Sequence, residues 1–233
     1  MVYNEFFLLT LTSAGIAFLH TLSGPDHYLP FIALSRSRGW GLVTTMGWTM
    51  LCGIAHIAGS LLVGCAGLGL GWGVQRFRML DNLRGGLSGW MLLLFGLCYL
   101  IWGLLRSGNN PAHRHFEQHE DGELYVFEHR HQTASDQRER HRVTPWVMLL
   151  IFLLGPAEPL IPLFFAPAVK GAYGELMVTL VSYTFATLAT MLLMVLAGWF
   201  GLFRLDIIPE KYVPALSGFL LFISGAGMVF FNW

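Results

Sequence analysis

Five ionisable side chains interrupt otherwise apolar stretches of this 233-residue chain: His20, Asp26, His27, His56 and Glu158. A charged group in the centre of a bilayer is costly unless it is paired or faces water, so such residues are functional candidates by default. Imidazole and carboxylate ligands together suit nickel, cobalt, zinc or ferrous iron better than magnesium or calcium. These residue types therefore predict binding of a divalent transition metal, with Glu158 as a further ligand or as a proton-exchanging group.

The spacing of the first three residues predicts a bend in the chain. His20 and His27 are seven residues apart, so on an unbroken helix they would lie about 10 Å apart along the axis. That is too far for both rings to hold one ion at about 2.1 Å. The pair Gly24-Pro25 lies between them, and we expect this break to fold the chain back. Asp26 would then be a ligand or would orient one of the rings.

His56 lies among small residues in the middle of a later apolar stretch, with Cys52 and Ser60 one turn away on its face. Small residues permit helices to approach closely in a membrane. For any one of these histidines, a neutral ring that is hydrogen-bonded to a neighbouring helix is an equally acceptable interpretation.

The elements that must position these residues are transmembrane helices. The chain is 55% hydrophobic and 12% charged, against about 45–50% and 25% in soluble domains. A helix needs about 20 apolar residues to cross the hydrocarbon core, and six stretches qualify, two of them interrupted. They are residues 5–34 (interrupted), 41–66, 86–105, 145–168 (interrupted), 175–201 and 212–232.

The chain divides into two halves of three helices. Residues 1–105 and 144–233 flank a polar loop at 106–143, and an odd number of helices per half inverts the second half relative to the first. A shift of 131 residues places Gly24-Pro25 on Gly155-Pro156 and His27 on Glu158. Further prolines follow each pair, namely Pro30 in the first half and Pro159 and Pro162 in the second. We therefore predict an all-α membrane protein of two inverted three-helix repeats with broken first and fourth helices.

The polar loop contains histidines at 113, 115, 119, 129, 131 and 141, and residues 106–142 carry 13 of the 28 charged side chains. Its composition is typical of a segment without stable structure, and its histidines are either an auxiliary metal-binding tract (His113, His115, His119, His129, His131) or incidental. With the N-terminus outside, ten Lys and Arg residues fall inside and four outside. The positive-inside rule then predicts a bacterial-type inner-membrane protein with a cytoplasmic loop and both termini outside.

Other classes of protein are less well supported. The chain has a net charge of zero and no basic run, so nucleic acid is not an expected partner. The partners expected are the lipid bilayer, the metal ion and a second copy of the chain. Three cysteines without a C-x-x-C pattern indicate neither a disulfide framework nor a zinc knuckle. The N-terminus has no basic residue before Arg36, so no signal peptide is expected. Nothing pairs a nucleophile with a base, so an enzyme is not expected.

The stretch from His20 to His27 resembles the His and Asp-His motif of the nickel/cobalt transporter family and of urease-accessory-type membrane proteins. His56 is similar to the histidine of that family's following helix, and Gly155 to Glu158 loosely resembles its later motif. The resemblance implies that His20, Asp26, His27 and His56 recognise the metal. The expected function is transport of a divalent transition metal by alternating access, coupled to protons.

Two alternatives use the same broken helices. An exporter of a small organic or sulfur-containing solute would not need three intramembrane histidines. A membrane carrier of thiols or electrons would need a cysteine beside each proline break, where this chain has Asp26 and Ala157.

Overall fold

The computed structural model describes residues 2–71, 73–108, 113–118, 124–129, 145–156, 160–203 and 209–231. Within these ranges the chain forms eight α-helices, two short 3-10 turns and one antiparallel pair of short strands. The helices are α1 (Val2–Ser23), α2 (Leu29–Arg38), α3 (Leu42–Gly69), α4 (Val74–Gly108), α5 (145–153), α6 (Leu160–Val169), α7 (Tyr173–Phe203) and α8 (Val213–Phe231). The turns are Pro25–His27 and Glu210–Tyr212, and the strands are β1 (His113–Gln118) and β2 (Leu124–His129).

Five of the helices are long and apolar enough to cross a membrane, which identifies an integral membrane protein. The spans are Phe6–Ser23, Leu42–Gly69, Arg78–Leu105, Tyr173–Gly201 and Val213–Phe231. The predicted interruption of the first stretch is confirmed, because α1 ends at Ser23 and α2 begins at Leu29. The predicted stretch 145–168 consists of two shorter helices, α5 and α6.

The third span begins earlier than the sequence predicts. It starts at Arg78 rather than at residue 86, because α4 already begins at Val74. Asp81 and Arg84 therefore lie within a spanning helix, where Asp81 is buried. The predicted span of 86–105 leaves both residues in the connection before it instead, because charged residues are costly within a span.

Part of the polar loop forms regular structure, which its overall composition does not predict. Strands β1 and β2 pair in an antiparallel register that places His113 opposite His129 and His115 opposite Phe127. The β-branched and aromatic residues of Leu124-Tyr-Val-Phe are typical of a strand, and this local signal is hidden when the whole loop is averaged. His119 and His131 lie outside the described residues.

Helices α4 and α8 are antiparallel and in close backbone contact. Gly96 and Gly103 of α4 lie against Phe222 and Ala215 of α8, while Gly225 lies against Leu93. The contact positions fall along α8 as they rise along α4, so the two helices run in opposite directions. Glycine at these points lets the backbones approach, which is how helices associate in a membrane without a hydrophobic driving force.

Two other pairs of helices run in the same direction. Along α1 and α7, Phe6 lies against Gly174, and Ser13 is hydrogen-bonded to Ser182. Along α3 and the segment from α5 to α6, the contacts are Trp48 with Trp146, His56 with Phe152, Gly59 with Leu153 and Gly64 with Phe164. In both pairs the positions rise together, which defines parallel helices.

Helix α2 lies at the centre of the packing and fixes the chain after the first break. Ser217 on α8 donates a hydrogen bond to the carbonyl of Ala33 at 2.8 Å. Ile32 packs against Gly198 of α7, and the rings of Phe31 and Phe152 lie 4.9 Å apart. Pro30 occupies the first turn of α2, where its missing N–H costs no helical hydrogen bond. The residue predicted as part of the break thus lies in the first turn of the next helix.

Candidate functional site

The first break folds His27 back toward His20, as the spacing predicts. Proline at position 25 has no N–H and cannot donate to the carbonyl of residue 21, so the α-helical pattern stops there. The chain turns through a 3-10 segment in which the His27 N–H donates to the Gly24 carbonyl at 3.1 Å. A Cβ on Gly24 would lie 2.7 Å from Nδ1 of His27 and 2.9 Å from Oδ1 of Asp26. The turn therefore requires glycine at this position.

The three intramembrane histidines form a row of ring contacts, in which His27 contacts both of the others. The ring centroids of His20 and His27 are 4.9 Å apart, and those of His27 and His56 are 5.4 Å apart. Both pairs meet edge to face, with interplanar angles of 80° and 85°. Asp26 is also buried, and its Oδ1 lies 3.4 Å from Nδ1 of His27. The structure thus brings together His20, Asp26, His27 and His56 from α1, the first break and α3.

The second break contacts the same row from the other half of the chain. Because Pro156 has no N–H, it cannot donate to the carbonyl of Phe152, four residues earlier. That carbonyl instead accepts hydrogen bonds from the Gly155 N–H at 3.1 Å and from Nδ1 of His56 at 3.2 Å. A Cβ on Gly155 would lie 2.6 Å from Nδ1 of His56. Both Gly-Pro pairs therefore meet at the histidines, each with its glycine against a ring.

The breaks also fix which nitrogen of each ring carries the proton. Nδ1 of His27 lies 3.2 Å from the Gly24 carbonyl, and Nδ1 of His56 lies 3.2 Å from the Phe152 carbonyl. A carbonyl oxygen only accepts hydrogen bonds, so we assign the proton to Nδ1 in both neutral rings. The lone pair then lies on Nε2. A histidine that ligates a metal through one ring nitrogen usually donates the N–H of its other ring nitrogen to a carbonyl or a carboxylate.

Three buried polar atoms in this cluster have no hydrogen-bond partner among the described residues: Nε2 of His20, Nε2 of His27 and Oδ1 of Asp26. Buried polar atoms in proteins are nearly always hydrogen-bonded, to protein or to ordered water, and the exceptions require an explanation. Two imidazole nitrogens and a carboxylate oxygen make a donor set that suits a divalent transition metal, a proton or water.

His56 is at the middle of the membrane span. Helix α3 has 28 residues from Leu42 to Gly69, which is about 42 Å at 1.5 Å per residue. His56 is the fifteenth of them, so it lies close to the centre of the helix. The cluster therefore lies far from both ends of this spanning helix.

The described side chains do not yet form a coordination sphere. No three His, Cys, Asp or Glu residues in the described part of the chain are arranged to hold a metal ion. The ring separations of 4.9 and 5.4 Å are close to the roughly 5 Å expected for two imidazoles on one tetrahedral ion. The donor atoms of the described residues, however, do not converge on one centre in this conformation. Ligation thus requires a rearrangement of these side chains.

Two charged residues near the second break are absent from the site predicted by sequence. Arg84 donates a hydrogen bond from Nη2 to the Leu153 carbonyl at 2.9 Å, and Asp81 lies 3.7 Å from its Nη1. The available signal was a pair of opposite charges at positions i and i+3 in a sequence that is otherwise compatible with a longer helix. Glu158 and Pro159 lie outside the described residues, and Pro162 lies in the first turn of α6.

Compared with protein families, curated proteins and solved structures, the chain matches none. The class that the structure defines is an integral membrane protein with a buried histidine and aspartate cluster where two broken segments meet.

Proposed function

We propose that the protein transports a divalent transition-metal ion, of the nickel and cobalt class, through the cluster of His20, Asp26, His27 and His56. The observation that carries the proposal is the meeting of both Gly-Pro breaks at these histidines, with Nδ1–H of two rings held by backbone carbonyls. Such rings offer Nε2 to a cation. Paired broken helices at corresponding positions of two halves are the best sequence pointer to the binding site of a transporter.

The directions of the helices support two inverted repeats. Exchange of the halves replaces α1, α3 and α4 by α5, α7 and α8. The parallel pair α1 and α7 then becomes α5 and α3, which are also parallel. The pair α4 and α8 becomes itself and is antiparallel, as a two-fold axis in the membrane plane requires.

A sixth crossing is proposed for the segment that contains α5 and α6. Its contacts follow α3 from Trp48 to Gly64, which is about 24 Å of helix axis. That distance is most of the roughly 30 Å hydrocarbon core. The segment therefore has the length and direction of a broken transmembrane helix, equivalent to α1 and α2.

Alternating access explains why the rings are not arranged as ligands. A transporter must release its ion, so the site needs one conformation that binds the ion and others that do not. Rotation of one half against the other would move the end of α5 relative to α1, and both contact the histidine row through Gly155 and the first break. Glu158 remains the proposed proton-exchanging group, because metal binding to an imidazole site competes with protons.

The experiment is metal uptake into proteoliposomes that enclose a metal-sensing dye, with nickel, cobalt, zinc and ferrous ions tested separately. The six loop histidines are first replaced by asparagine, so that the loop cannot bind the metal. We expect uptake by this parent protein and loss of uptake in His27→Ala. Thr49→Ala is the matched control, because the buried Thr49 hydroxyl donates to the Thr45 carbonyl of its own helix, at 2.9 Å.

Two results would contradict the proposal. One is an absence of uptake of all four metals by a folded parent protein, particularly if a small organic solute is carried instead. The other is metal uptake that His27→Ala leaves unchanged, because transport would then not pass through the cluster.

A further inference from the structure

The pair Asp81 and Arg84 is a charged feature inside the membrane that the histidine cluster does not use. Both residues lie within the span Arg78–Leu105. Their side chains are 2% and 12% exposed, and Nη1 of Arg84 lies 3.7 Å from Oδ1 of Asp81. Buried charged residues in a membrane-spanning helix are expensive and are functional candidates by default.

Arg84 connects three elements at one point. Its Nη2 donates to the Leu153 carbonyl at the end of α5, at 2.9 Å. A Cβ on Gly59 of α3 would contact both this carbonyl and the guanidinium. The next residue of α4, Gly85, packs so closely against Pro156 that an added Cβ would lie 2.9 Å from Cβ of the proline. Helices α3, α4 and the second break thus interlock around one guanidinium.

Arg84 and His56 bond the carbonyls of two adjacent residues at the end of α5. The carbonyl of Phe152 accepts from the His56 ring, and the carbonyl of Leu153 accepts from Arg84. The last carbonyls of a helix lack helical donors and carry partial negative charge. A guanidinium donates a hydrogen bond to such a carbonyl, and its positive charge is attracted to the partial negative charge there.

We propose that Arg84 is a latch that holds the end of α5 against α3 and α4 and so closes the histidine cluster on the α4 side. Asp81 is a positioning residue that orients the guanidinium toward Leu153. Breaking the latch frees the end of α5 to move away from His56, which opens the cluster. That this opening serves transport rests on the proposed function. The contacts of Arg84 themselves do not depend on any substrate.

The test measures access to a cysteine beside the latch and needs no metal. Ser60 is buried, and it follows Gly59 on α3. Ser60→Cys is introduced into the full chain after Cys52, Cys65 and Cys98 have been replaced by alanine, and its labelling by a small maleimide is timed in membranes. We expect Arg84→Met to raise the labelling rate at least about tenfold, since opening the cluster exposes a buried position to solvent. The control Arg78→Met removes an exposed arginine from the same helix and is expected to leave the rate unchanged.

Two milder variants decide the question if Arg84→Met does not fold. Arg84→Lys keeps the charge but lacks the planar group that can bond Leu153 and face Asp81 together, and Asp81→Asn removes only the negative charge beside Arg84. Each should raise the labelling rate severalfold. Unchanged labelling in the folded variants overturns the latch. If the labelling rate rises in these variants but the parent protein takes up none of the four metals in the proteoliposome assay, the latch is supported and the proposed function is overturned.

Discussion

Replacing Gly155 by alanine should disable the cluster from the second half of the chain. The added Cβ would lie 2.6 Å from Nδ1 of His56, whereas ordinary contacts of this kind are about 3.5–4 Å. The ring must therefore move by about 1 Å, and it cannot move freely because the rings of His27 and Phe152 pack against it. A shift of this size lengthens the 3.2 Å bond to the Phe152 carbonyl beyond hydrogen-bond range.

The expected loss follows from that broken bond. Loss of the group that accepts a hydrogen bond from a metal-ligating ring typically costs about 10–100-fold in metal affinity. A buried donor left without a partner costs about 1–3 kcal/mol of stability. Metal binding to Gly155→Ala is measured by calorimetry on purified protein without the loop histidines, together with its thermal midpoint. Gly47→Ala on α3 is the control, because a Cβ there meets nothing within 4 Å. Wild-type affinity in Gly155→Ala would refute the role assigned to the second break.

The remaining predictions concern packing, coupling and the loop. Gly96→Ala should lower the thermal midpoint sharply, because its Cβ would meet the backbone of Phe222 on α8. Gly86→Ala on the same helix should leave the midpoint unchanged, because a Cβ there meets nothing within 4 Å. Equal midpoints of the two variants would contradict the interface between α4 and α8. Ser217→Ala should lower the free energy of unfolding by about 1 kcal/mol, because its hydrogen bond to the Ala33 carbonyl is lost. Ser224→Ala should lower it less, because that hydroxyl bonds the Leu220 carbonyl of its own helix. Denaturant titration of both variants measures the two free energies. Glu158→Gln should reduce turnover more than metal binding and flatten the pH dependence of uptake, and an unchanged pH profile would exclude it as the proton-exchanging group. Replacing residues 109–144 by a flexible linker should leave folding and transport intact while reducing uptake at low metal concentration; loss of folded protein would contradict this.

The first break and its consequence could be predicted because they are local. Proline removes a known hydrogen bond, and a tight turn between His20 and His27 brings their rings closer than the roughly 10 Å of an unbroken helix. The position of His56 beside this turn could not be derived in the same way, because it depends on how α3 packs against the rest of the chain. Small residues around His56 indicated a close contact but not its partner, which is the carbonyl of Phe152.

The residues that sequence alone misplaces share a physical cause. Counted as separate charges, Asp81 and Arg84 predict a loop between two spans. Their contact with each other, and that of Arg84 with the Leu153 carbonyl, makes them compatible with a membrane helix. Pro30 resembles a part of the break because proline is disfavoured inside helices, although the first turn tolerates it. In both cases the outcome depends on a partner or a position that the sequence pattern does not specify.

The most direct test of the account is X-ray absorption spectroscopy of the cobalt- or nickel-loaded protein that lacks the loop histidines. The account predicts one metal per chain with imidazole nitrogen ligands at about 2.1 Å, and loss of the imidazole signal in His27→Ala. A folded protein that retains no metal, or a metal surrounded only by oxygen ligands in the wild-type cluster, would contradict it.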